Sequence, residues 1–177
     1  MSQTVQYFDR QLFIRYKGLY DFDGLYKFMA EWFRTQNYRW YETRYKNKLY
    51  TPMGNEFEVN WEAEKEVTEF VKYIIKIHFH TFDAKEVEVN IDGKPQKRMT
   101  GRIQIGFDCF IILDWQDRYT GSKFKEVLYS AYVNILSKWD LEAAHYDPCA
   151  YQMMDLMTRM KKFIGIQTAD SAYPSML

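Results

Sequence analysis

Apolar residues along this chain recur with a period of two, then 3.6, then two, then 3.6 again, and each change marks a new kind of element. Residues 12–17 (LFIRYK) have strand composition and stop at Gly18, after which Asp21 or Asp23 can cap a helix running to about Asn37. Phe22, Leu25, Phe28, Met29, Trp32 and Phe33 form its buried stripe. Residues 38–50 then turn at Thr51-Pro52-Met53-Gly54-Asn55 into a strand over 56–66. There Phe57, Val59, Trp61 and Ala63 alternate with Glu56, Glu58, Asn60, Glu62, Glu64 and Glu66, so one face is buried and the other carries a row of carboxylates.

A strand over about 70–82 follows, with Val71, Tyr73, Ile75, Ile77 and Phe79 on one face, then a break at Asp83-Ala84 and a shorter strand at 86–91. Asp92-Gly93 signals a hairpin into a long strand over 97–114, which buries Met99, Ile103, Ile105, Phe107, Cys109, Ile111 and Leu113. Phe110 and Ile112 make its second face apolar too, which predicts cover on both sides. From Ser122 to about Trp139 the period is helical, with Phe124, Val127, Leu128, Ala131, Ile135, Leu136 and Trp139 in one stripe. A last helix is bracketed by Asp147 as N-cap, Pro148 at its first position and Gly165 just past its end. The pattern predicts an α+β fold: strand, helix, an antiparallel β-meander of about five strands, and two C-terminal helices. It forms a single domain over 1–165 with a tail over 166–177 that has no periodicity.

That order of elements over 12–140, with a helix following a curved meander, resembles the helix-grip (START-like) architecture. The resemblance implies a last helix lying across the sheet and closing a cavity, here between the sheet and helix 122–139, which suits a small apolar ligand. The stretch GRIQIGFDCFIILDWQDRYTGSKFKEVLYSAYV (101–133) is also similar to uncharacterised proteins of large tailed bacteriophages and small archaeal genomes. That similarity implies no chemistry and favours a virion or other assembly component.

Charge alters the picture by exclusion. The 24 Lys and Arg cancel 24 Asp and Glu, so no global field attracts nucleic acid or an anionic membrane. No apolar run reaches the roughly 20 residues of a membrane helix, and the opening MSQTVQYFDR lacks a signal-peptide pattern; a cytoplasmic location is expected, host cytoplasm and assembled particle if viral. The two cysteines are too few for a disulfide framework or a four-thiolate zinc site.

His78-Phe79-His80, with Glu86 and Gly93 downstream, approximates the cupin metal spacing, but the interval to Glu86 is too long and a third histidine is missing. The two imidazoles are therefore expected to continue the polar face set by Lys72 and Lys76. Cys149 stands where a helix dipole could lower a thiol pKa, with His145 just upstream, yet no Asn or Asp completes a nucleophile system; a packed thiol is expected. Among the classes of metal- or thiol-dependent enzyme none is favoured, and no cofactor is expected.

Residues 38–48 interleave aromatic and basic side chains as single-stranded nucleic-acid platforms do. The carboxylate row on the next strand is expected to neutralise them, placing Lys48 opposite Glu58, Arg44 opposite Glu62 and Tyr45 opposite Trp61. What remains is partner chemistry. Aromatic residues make up 19% of the chain, and Met153, Met154, Met157 and Met160 spread over more than half of the last helix's circumference. These methionines, with Tyr173, Trp40 and Tyr41, are the candidate partner-binding residues of a non-enzymatic structural or interaction protein, a subunit of a larger assembly.

Overall fold

The computed structural model describes residues 2–8, 10–51, 54–91, 93–119, 122–131 and 142–166. It is an α+β fold built on a six-stranded antiparallel sheet: β1 (Gln3–Gln6), β2 (Leu12–Tyr20), β3 (Arg39–Thr51), β4 (Gly54–Glu66), β5 (Val71–Ile91) and β6 (Lys94–Leu113). β3 to β6 form the meander. β1 and β2 share the far side of β6, β2 along Met99–Phe107 and β1 along Phe110–Leu113. The first strands therefore pair with the last, and α1 (Phe22–Thr35) and α3 (Asp147–Ile164) cover one face.

The alternation in β4, β5 and β6 sets that face. Val59, Trp61 and Ala63, then Val71 to Phe79 at odd positions, then Ile103 to Leu113 at odd positions, are buried against Leu25, Met29, Trp32 and Phe33 of α1. α3 adds Cys149, Met153, Leu156, Met157 and Met160. One hydrophobic cluster thus spans Ile14 to Met160. Polar contacts hold the helices in place: Tyr38 donates to Gln152 Oε1 at 2.9 Å and Trp32 Nε1 to Asp155 Oδ2 at 3.1 Å.

Caps are partly as the sequence suggests. Asp21 caps α1, accepting from the Gly24 amide at 2.8 Å, and Gly165 ends α3 in the left-handed region at φ 84°. Asp147 is not an N-cap, because a π-helical turn over Glu142–Tyr146 runs straight into α3. Its carboxylate instead accepts the Tyr7 hydroxyl at 2.7 Å. Beyond Gly165, Ile166 still packs on the core; 167–177 lie outside the described residues.

The expected break at Asp83-Ala84 is a bulge inside one strand of 21 residues, not an end. Asp83 adopts φ 56°, and its register shift lets Ala84 take the buried position after Thr81. Gly101 makes the bulge possible: a Cβ there would stand 2.8 Å from the Phe82 carbonyl oxygen and 3.0 Å from that of Asp83. Among the described residues no element forms the expected second layer over Phe110 and Ile112. Both are half-buried, with the Lys76 ammonium 5.4 Å above the Phe110 ring.

Candidate interaction surface

α2 (Lys123–Ala131) is placed by the turn before it. Asp114, buried and at φ 52°, accepts from the amides of Arg118 at 2.8 Å and Tyr119 at 3.3 Å and so folds the chain back at the end of β6. Tyr129 then fastens the helix: its ring lies 6.0 Å from Phe70 and 6.1 Å from Tyr119, and its hydroxyl donates to Gln3 Oε1 at 3.3 Å. With Tyr129 turned to the domain, the apolar stripe faces the other way. Phe124 is 76% exposed, Val127 67% and Leu128 49%.

An amphipathic surface helix normally buries its apolar stripe. Here Phe124, Val127 and Leu128, expected to lie on the sheet, are in solvent. The helices lying on the sheet are α1 and α3, and in that layer Trp61, Phe33, Phe79, Phe107 and Met153 are packed with at most 1% exposure. Ile135, Leu136 and Trp139 of the expected stripe fall outside the described residues.

The candidate partner residues divide. Met153, Met157 and Met160 are buried in the core, and of the four methionines Met154 alone is exposed, beside Tyr151 on the outer side of α3. The methionine arc is wide because α3 packs on both the sheet and α1. Trp40 is half-buried and stacks on Trp61 at 4.0 Å and 8°, so it also belongs to the packed layer. Tyr41 is exposed, donating to Glu62 at 2.9 Å. Tyr173 lies outside the described residues.

Trp40 reaches that layer through a register shift. Near the hairpin Lys48 faces Glu56, Lys46 faces Glu58, Arg44 faces Asn60 and Tyr45 faces Val59, two positions from the expected partners. A bulge at Thr43 then inverts the alternation, so that Arg39 faces Glu64, Tyr41 faces Glu62 and Trp40 faces Ala63. Basic side chains still meet carboxylates on both sides of the bulge. Lys48–Glu56 is 3.0 Å, Arg44–Glu58 3.8 Å and Arg39–Glu64 4.0 Å, while Lys76–Glu62 at 3.0 Å and Lys72–Glu64 at 2.7 Å extend the ladder into β5. Arg39, Arg44 and Lys48 of the aromatic-basic segment are thus engaged in charge pairs.

His78 and His80 share this outer face, and each has a protein partner. His78 Nδ1 contacts Asn60 Oδ1, and His80 Nε2 lies 2.6 Å from Glu56 Oε1. Burial holds the His78 imidazole below its usual pKa. Glu86, the distant member of the cupin-like spacing, is carried past the Asp83 bulge and pairs with Lys97 at 2.7 Å. Among the described residues no group of three or more His, Cys, Asp or Glu is arranged to hold a metal. Zinc in modest excess is therefore expected to leave the melting temperature unchanged, since a ligand specific to the native state must raise it. A rise that His80→Ala abolishes would contradict this reading.

Cys149, the other sequence candidate, is fully buried with its Sγ 2.8 Å from Cys109 Sγ. Hydrogen bonding to Cys109 and burial push its pKa up, the reverse of nucleophile activation. Asp114 and Asp117 are turn residues: Asp117 Oδ1 accepts the Ser2 amide at 2.9 Å.

Sequence reasoning missed the surface that stands out most, Phe124, Val127 and Leu128, by assigning it to the core. Helical spacing identifies an apolar face but not whether anything covers it. Among the described residues no helix is long and apolar enough to cross a membrane. No protein-family model matches the chain, and no curated protein is similar to it.

Proposed function

We propose that this chain is a non-enzymatic structural or interaction protein, one subunit of a larger assembly, and that it meets a second copy of itself through the α2 stripe. The observation that supports this is the solvent-facing row of Phe124, Val127 and Leu128 on a helix fastened by its opposite side. Contiguous exposed apolar side chains mark interaction sites. A second copy is the favoured occupant because a formal net charge of zero imposes no repulsion between copies, and one apolar stripe can pack on itself about a two-fold axis. Nine residues supply less area than a stable interface needs; in the sequence, the same spacing continues to Ile135, Leu136 and Trp139. The candidate nucleophile and metal ligands are engaged in packing and pairing, which suits a subunit better than an enzyme. A tailed-phage particle, assembled in the host cytoplasm, is the most concrete setting, by the similarity of residues 101–133.

Hydroxyl-radical footprinting at low and high protein concentration tests the surface. Phe124 and Leu128 are expected to lose reactivity as the complex forms, while Tyr41 keeps its own. Unchanged Phe124 labelling at a concentration where the complex is present would overturn the assignment.

A further inference from the structure

We infer that Cys109 and Cys149 are a covalent modification site: an intramolecular disulfide that closes inside the core under oxidising conditions and fastens α3 to β6. The two thiols come from different layers. Cys109 lies in the C-terminal part of β6, opposite Ile75 of β5, and Cys149 in the first turn of α3. Both are free and fully buried, with their sulfurs 2.8 Å apart. A disulfide needs the sulfurs at about 2.05 Å, so closure requires less than 1 Å of movement, within reach of small side-chain rotations. The bond would link positions 40 residues apart, with α2 inside the loop it closes.

Hydrogen peroxide is a sufficient oxidant. One thiol attacks it, forming a sulfenic acid and releasing one water; the second thiol displaces the sulfenic oxygen as a second water and the S–S bond forms. Two thiols lose two hydrogen atoms in total, and one peroxide becomes two waters. The neighbouring thiol stands ready to resolve the sulfenic acid before further oxidation. Reaction begins from a thiolate, which is disfavoured in the closed core, so oxidation awaits transient opening of α3 from the sheet. Low concentrations of urea should accordingly speed it. A larger oxidant such as oxidised glutathione needs wider opening and should be slower.

The test uses the full chain treated with peroxide, then alkylated with N-ethylmaleimide in denaturant and weighed intact. The expected product is a monomeric chain lighter by about 2 Da that takes up no maleimide, gives a tryptic pair linking Cys109 and Cys149, and regains two labels after reduction. Its melting temperature should rise by about 10 °C and return with reductant, because the bond restricts the unfolded chain. Cys149→Ala and Cys109→Ala chains should show no such rise. Full labelling of both thiols after peroxide, oxidation only to sulfinic acid, or a linked product that melts lower than the reduced chain would each overturn the inference. The mass readout on the unaltered chain stands even if either variant fails to fold.

Discussion

Replacing Trp61 by alanine is expected to lower the stability of the fold by about 3–5 kcal/mol, the usual cost of removing a large buried aromatic side chain. Trp61 is 1% exposed in the middle of β4. Its ring stacks on Trp40 at 4.0 Å and meets the edge of Tyr26 at 4.4 Å, with Phe33 and Phe79 each at 6.4 Å. The side chain therefore joins three elements, β3, α1 and β5, to β4. Urea unfolding followed by far-ultraviolet circular dichroism measures the effect as a shift in midpoint at constant slope. Trp61→Phe, which keeps a ring in the layer, should lose well under half as much. A loss under about 1 kcal/mol for Trp61→Ala would mean that this layer does not hold the helix to the sheet.

The double substitution Phe124→Asp with Leu128→Asp should leave the melting temperature nearly unchanged and weaken self-association at least a hundredfold. Both side chains are in solvent in the single chain, where substitutions ordinarily cost within about 0.5 kcal/mol. In an interface, an aromatic anchor alone is commonly worth 2 kcal/mol or more, and two buried, unpaired carboxylates add a further penalty. Sedimentation equilibrium gives the dissociation constants. A matching double substitution on α3, Tyr151→Asp with Met154→Asp, changes another exposed apolar pair and should leave association intact. If the α3 pair weakens association and the α2 pair does not, the interface belongs on α3.

Much of this architecture is legible in the chain because its strands obey strict alternation. Val59, Trp61 and Ala63 predict their own burial, and so do the odd positions of β5 and β6. The helix stripe from Leu25 to Phe33 is equally plain. Register is harder to read, because a single bulge residue inverts every position after it. Thr43 does so in β3, and neither its side chain nor its neighbours signal it. Asp83 does so in β5, where the Asp-Ala pair reads as a chain break until Gly101 is seen opposite it. The surface is the least legible part. Phe124, Val127 and Leu128 have the spacing of a core stripe, and only the position of Tyr129 against Phe70 decides that they face outward. The Cys109–Cys149 contact is hidden for a related reason: alternation places one thiol inward and helical spacing the other, but the crossing of α3 over β6 decides that they meet.

The mass of the native particle formed by the purified full chain tests the central claim most directly. Native mass spectrometry over about 1–100 µM, the range in which interfaces of modest area assemble, should show the unaltered chain moving from one copy to two or more. The Phe124→Asp, Leu128→Asp chain should stay at one copy throughout. An unaltered chain that remains a single copy at every concentration, or a doubly substituted chain that assembles equally well, would contradict an assembly subunit built on α2.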